Sequence, residues 1–166
     1  VRKSLKSEFQ KLLHSMDREV AIMETLSEQL SLKMQALSER SFEEVLDAER
    51  RIEELLSQLQ QAEIERENAV KEVASRLGIF EDAKASDLLI RISGKSREEM
   101  MIRIARMLRA ANELQLLRKG LEEMLEFEMA YSTTLMRLLY GKRTLGVYDK
   151  NGNDKETEES RRGWSG

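Results

Sequence analysis

A chain of 166 residues has the length of one ordinary domain, and a content of 36% charged, 40% hydrophobic and only 5% aromatic residues is that of long helices around a thin core rather than of a compact enzyme. The absence of cysteine excludes a disulfide framework, a thiolate metal site and a thiol nucleophile and fits a reducing compartment, while a net charge of −3 argues against generic phosphate binding. The longest apolar run, Val20-Ala21-Ile22-Met23, falls far short of the roughly 20 residues that cross a bilayer, and no signal-peptide core opens the chain, so a soluble protein without stable membrane insertion is expected.

Val1 to Glu81 contains no proline and one glycine, Gly78, so nothing interrupts long helices there. From Leu5 the apolar positions follow a heptad through Phe9, Leu12, Met16, Met23, Leu26, Leu30 and Leu37, with Glu19 and Lys33 as polar interruptions, and predict a first helix over about 3–39. Ser41-Phe42-Glu43-Glu44 reads as a capping box that starts a second helix over 42–77. Its expected seam is Phe42, Val45, Ile52, Leu56, Leu59, Val70, Val73 and Leu77, with Gly78 closing it in the left-handed conformation. So short a junction folds the two helices into an antiparallel hairpin.

Residues 78–96 read as a connector in which Ser86-Asp87 caps a short helix over Leu88-Leu89-Ile90. Ser96-Arg97-Glu98-Glu99 repeats the capping box and opens a third helix over 97–140, with Ile104, Leu108, Ala111, Leu114, Leu117, Leu121, Leu125, Tyr131, Leu135 and Leu138 on its apolar face. At about 1.5 Å per residue it is roughly 65 Å long against roughly 50–55 Å for either hairpin arm, so part of it is expected to lack an intramolecular partner. Gly120 sits within it as a kink, a close contact or simply a tolerated glycine. The fold class is therefore all-α: an elongated antiparallel hairpin plus a long third helix in a coiled-coil-like bundle over 1–141, followed by a polar, flexible tail over 142–166.

Reaction chemistry finds little support. Gly94-Lys95-Ser96 lacks the upstream glycine of a phosphate loop, since position 89 is leucine. His14 is the only histidine and builds no metal set, and adjacent carboxylates such as Glu53-Glu54 point about 100° apart on a helix, as solvated faces do. Residues 42–77 carry ten acidic and five basic side chains, and residues 88–120 eight basic and three acidic. The patch of Arg97, Arg103, Arg106 and Arg109 holds no aromatic for base stacking, so pairing with the acidic second helix is expected rather than nucleic acid. No cofactor is called for.

Binding features gather toward the C-terminus. Six of nine methionines lie in the third helix, and Met124, Met129 and Met136 fall where it outruns the hairpin, as adaptable contacts for a partner or as filler. Beyond Gly141 the polar tail carries Leu145, Val147 and Tyr148, an apolar strip that either docks back on the bundle or meets another protein.

Leu135-Met136-Arg137-Leu138-Leu139-Tyr140-Gly141, followed by Val147-Tyr148-Asp149-Lys150-Asn151-Gly152, resembles the C-terminal signature of the FlgN-type flagellar export chaperones, whose plan of two long helices, a connector and a long last helix also agrees. The resemblance implies a cytoplasmic chaperone that binds the C-terminal helices of hook–filament junction proteins, keeps them unpolymerised and delivers them to the flagellar export gate, with no nucleotide consumed. Carried over, the partner-binding helix falls on Tyr131, Leu135, Leu138 and Leu139, and the tail tyrosine associated with the gate matches Tyr148, less well Tyr140. The segment Asp154 to Gly166 continues past the family-like ending. The rival reading is a homodimer or larger homo-oligomeric coiled-coil scaffold without a client.

Overall fold

The computed structural model describes residues 2–80 and 82–141, and all regular structure among them is helical: α1 (Arg2–Ser38), α2 (Phe42–Leu77), α3 (Ala85–Leu88) and α4 (Gly94–Tyr140). The chain falls into two compact units, residues 1–121 and 122–166. The first holds α1 to α3 and α4 as far as Leu121; the second holds the rest of α4. The expected flexible tail, 142–166, lies outside the described residues.

Backbone chemistry ends the two hairpin arms alike. Gly78 adopts φ 67° and the Ile79 N–H donates to the Ala74 carbonyl at 2.9 Å, the closure that a left-handed residue permits. Arg40, at φ 56°, closes α1 in the same way, with the Ser41 N–H donating to the Ala36 carbonyl at 2.9 Å. The capping box expected at Ser41 is not made, because the Ser41 side chain forms no cap hydrogen bond and only its carbonyl accepts, from the Val45 N–H at 3.1 Å. Ser96 is likewise not the cap: α4 starts at Gly94, which puts Ser96 inside the first turn. The short helix falls over Ala85–Leu88, earlier than expected, with the Asp87 carboxylate accepting the Lys84 N–H at 2.8 Å.

The hairpin is antiparallel, as its ion pairs show on stepping away from the junction: Lys33–Glu49, then Glu19–Arg66 and Arg18–Glu65 at 2.6 Å each, then Arg76–Glu8 at 3.1 Å. Its main cluster joins Phe9, Leu12, Leu13 and Met16 of α1 to Val70, Val73 and Ala74 of α2, with Leu88 of α3 and Met100 of α4 closing the end. Burying a side chain such as Leu12 or Met16 contributes roughly 2 kcal/mol each. A second cluster, Val20 and Met23 with Ala110, continues along α1 and α4.

The α2 seam differs from the expected one. Ala48, Ile52, Ala62, Ala69, Val70, Val73 and Ala74 are buried, whereas Phe42 is 74% exposed and Leu56 is also exposed. Small side chains hold the seam because the two backbones approach closely, and the large ones are displaced to the flank. Leu108, expected on the packed face of α4, is 67% exposed. A straight helix drifts about 20° per heptad, so one apolar list cannot remain on a single face over 47 residues.

Within the seam, Glu19 and Arg66 form a polar layer. The carboxylate is 7% exposed and the guanidinium 19%, and Arg66 Nε donates to Glu19 Oε2. Burial raises the Glu19 pKa above the ordinary glutamate value of 4.5, opposed by the hydrogen bond and charge of Arg66.

Substitution separates these contributions. Arg66→Leu strands a buried carboxylate and should cost about 3 kcal/mol in urea denaturation, whereas Glu19→Leu with Arg66→Leu should be neutral or stabilising. Because Arg66 holds the Glu19 pKa down against burial, its loss raises that pKa further, and the Arg66→Leu deficit should shrink as pH falls through the variant's higher pKa toward that of the unaltered chain. At the two glycines alanine should act oppositely. Gly78→Ala should cost about 1 kcal/mol for its left-handed backbone, and Gly120→Ala, whose Cβ would meet only the flexible end of Met34 at 3.4 Å, should gain roughly 0.5–1 kcal/mol; thermal melts of the two variants check both.

Candidate partner-binding surface

The second unit carries the last five turns of α4, and side chains there follow a period of about 100° per residue. On that period Met124, Phe127, Tyr131, Leu135 and Leu138 share one face, with Leu139 at its margin. Phe127 and Tyr131, one turn apart, stack with ring centroids 6.5 Å apart and planes 11° from parallel. Met124 and Leu135 are half-buried, while Leu138 is 77% and Leu139 71% exposed. A run of large apolar side chains at this exposure on one helix is the form of a surface that a second amphipathic helix completes.

The expected partner-binding residues divide accordingly. Met124, Tyr131, Leu135 and Leu138 come together on one face. Tyr140, two residues beyond Leu138, is turned about 200° away and shares its side with Leu125, Met129 and Met136. Leu145, Val147 and Tyr148 lie outside the described residues. Phe127 is absent from the sequence-based expectation, although its spacing of four from Tyr131 was the available signal.

The first unit supplies different surroundings. A groove of 880 Å³ runs between α1 and α4, with Glu24, Glu28, Arg106 and Arg109 on its walls. Its lining includes the buried Ser27 hydroxyl, which has no hydrogen-bond partner among the described residues. A second groove, of 620 Å³, is bounded by α1, α2, the connector and α4 and is lined by Met16, Val70, Ile104, Met107 and Leu108 together with Arg66, Glu67 and Lys71. His14 is exposed on α1. Among the described residues no group of three or more histidine, aspartate or glutamate side chains is arranged to hold a metal ion, and no helix is long and apolar enough to cross a membrane.

The expected pairing of the arginine patch with the acidic second helix is not made among the described residues. Arg103 of the patch goes to α1 instead, its Nε lying 3.0 Å from Asp17 Oδ1. The α2 charges Glu49, Glu65, Arg66 and Arg76 also pair with α1. Charge balance between segments did not reveal which helix faces lie within reach of each other.

Set against known proteins, residues 8–156 match the family model described as FlgN protein. The chain belongs to the FlgN family. FlgN proteins are a chaperone family rather than a known enzyme family, and membership gives this chain a flagellar export chaperone role in general, binding flagellar substrate proteins. The FlgN match takes in the whole described part of the second unit and runs to residue 156, so the family pattern extends past Gly152 and a few residues into the segment read as an extension. No curated protein and no solved structure matches the chain.

Proposed function

We propose that this FlgN-family protein is a cytoplasmic chaperone of flagellar type III export that binds the C-terminal helices of hook–filament junction proteins, prevents their premature assembly and delivers them to the export gate. The observation that carries the reading is the apolar face of α4 formed by Met124, Phe127, Tyr131, Leu135 and Leu138 in a chain whose family handles flagellar substrates. A client helix laid on this face gains roughly 25 cal/mol per Å² of apolar surface removed from water, less the cost of ordering both partners. The same burial covers the surface through which the client would assemble with its own kind. Leu139 and Tyr140 extend the contact, and Leu145, Val147 and Tyr148 of the tail supply the approach to the gate, Tyr148 foremost.

Calorimetric titration with the C-terminal helical segment of a hook–filament junction protein from the same organism should give saturable one-to-one binding. Leu135→Asp with Leu138→Asp should abolish that binding while the far-ultraviolet circular dichroism stays helical; an unfolded variant would make these residues core, and no heat from the unaltered chain would favour a scaffold without a client. A chain ending at Gly141 should bind the client segment yet fail to support secretion of junction proteins into the medium. Full secretion by the shortened chain would remove the tail from the mechanism.

A further inference from the structure

The end of the first unit where the connector crosses the hairpin carries charge and apolar surface that the client reading does not use. Residues 3–7 of α1 and residues 88–97, from α3 into α4, contain the basic side chains Lys3, Lys6, Arg91, Lys95 and Arg97 and no acidic one. All five are exposed, and none forms an ion pair among the described residues. The fold brings the two segments together, since Leu5 and Lys6 of α1 line one 270 Å³ pocket with Leu77 of α2, Ile92 of the connector and Ser96 of α4. Lys3 stands one turn before Lys6, and Arg91 and Lys95 adjoin Ile92 and Ser96. The nearby acids are engaged or set back. Glu8 pairs with Arg76, and the Asp87 carboxylate accepts the Lys84 N–H. Asp82 lines the 620 Å³ groove beside Glu67 and Met107, and Glu98 and Glu99 lie about one turn further along α4 than Lys95. Residues 1–11 and 71–99 together, Glu72 and Glu81 included, carry ten basic and seven acidic side chains in a chain of net charge −3, so this end is positive against a negative remainder.

Two large apolar side chains stand out of the same connector. Ile79, Leu89 and Ile92 pack against the main cluster, whereas Phe80, 90% exposed, and Ile90, 80% exposed, are the most exposed large apolar side chains among the described residues. Both sit on turns, the Ala83 N–H donating to the Phe80 carbonyl and the Arg91 N–H to the Leu88 carbonyl at 3.0 Å each. We propose that this end is a docking surface for an anionic lipid bilayer. Lys3, Lys6, Arg91 and Lys95 meet the headgroup phosphates, and Phe80 and Ile90 enter the boundary between headgroups and acyl chains. The chain then lies on the membrane surface without crossing it. A nucleic acid is a poorer match, because Phe80 is a lone exposed aromatic and offers no platform for successive bases. The 270 Å³ pocket is below the roughly 300–1,000 Å³ of ordinary ligand sites, so the exposed charges and apolar tips carry the recognition. The surface lies in the first unit, apart from the client stripe, and the inference stands whether or not the client reading holds.

Sedimentation of the full chain with vesicles of phosphatidylcholine and phosphatidylglycerol in equal parts should bring the protein down with the lipid. Vesicles of phosphatidylcholine alone should leave it in solution. Raising salt to about 1 M, where the screening length falls to about 3 Å, should release most of the bound chain. A basic side chain near an anionic surface contributes about fivefold in partitioning, so Lys3→Gln with Lys6→Gln and Arg91→Gln should weaken binding roughly 100-fold. Phe80→Ser with Ile90→Ser should weaken it roughly tenfold or more. Helical content should be unchanged in both variants, since all the altered residues are exposed. As a readout that alters no charge, Phe80→Trp with Trp164→Phe places the sole tryptophan on the connector. Its emission should move to shorter wavelength with the anionic vesicles and be quenched by lipids brominated on their acyl chains. Leu135→Asp with Leu138→Asp should bind the vesicles as the unaltered chain does. No binding to the anionic vesicles, equal binding to both compositions, indifference to either set of substitutions or an unchanged Phe80→Trp emission would each overturn the proposal. A polyuridine oligonucleotide that displaces the vesicles with no dependence on Phe80 would also overturn it and make the surface one for nucleic acid.

Discussion

The hairpin depends on polar layers set into an apolar seam, the pair of Glu19 and Arg66 above all. Long antiparallel helices with heptad patterning are degenerate in register, because a slip of one heptad keeps apolar residues facing apolar residues. Glu19 and Arg66 remove that degeneracy. A slip of seven residues in either direction would set the buried Glu19 carboxylate against Leu59 or Val73 in place of a guanidinium 2.6 Å away. Lys33 and Glu49 repeat the device nearer the junction, where the same slips would offer Lys33 only Phe42 or Leu56. A buried pair of this kind adds little net stability over well-packed leucines but penalises every alternative, which is specificity rather than strength. With that register fixed, α1 offers α4 a defined ladder of partners, from the Phe9 and Met16 cluster at Met100, through Asp17 at Arg103, to Met34 beside Gly120.

Much of this was legible in the sequence, and the failures have physical causes. The heptad of α1, its two polar interruptions, the short junction and the glycine closing α2 all depend on local spacing and backbone chemistry, which a sequence displays directly. The α2 seam is harder to read because an apolar pattern draws its weight from large side chains. Where two backbones lie close, Ala48, Ala62, Ala69 and Ala74 fit the contact, and Phe42 and Leu56 are set aside on the flank. Segment charge totals mislead for a related reason. They make α2 and α4 natural partners, but an ion pair needs its atoms within about 4 Å, and the faces that pair are those of α1 with α2 and of α1 with α4. The candidate surface was legible as a stretch of helix but not as a face, which is why Tyr140 was grouped with Leu138 and Phe127 was passed over.

The exposed apolar residues of this chain are organised, and that is what gives them meaning. Scattered surface leucines require no account, whereas stripes at helical spacing do. The stripe near the end of α4 is one, with the stacked pair Phe127 and Tyr131 at its centre.

The sparse anchoring of α4 bears on its motions. Only Met100, Ala110 and Leu121 of its described side chains are buried, about three turns apart, whereas α1 buries residues on nearly every turn from Phe9 to Leu26. Local opening is governed by the apolar contact a segment must surrender, so the amides of α4 exchange with solvent through smaller fluctuations than those of the hairpin and regain protection when a partner settles on the helix. The hairpin's ion pairs also span shorter stretches of chain than the Asp17–Arg103 pair that ties α4 to α1, the topology that favours early formation of the hairpin. A helix so sparsely anchored can be remodelled by a partner at little cost to the hairpin.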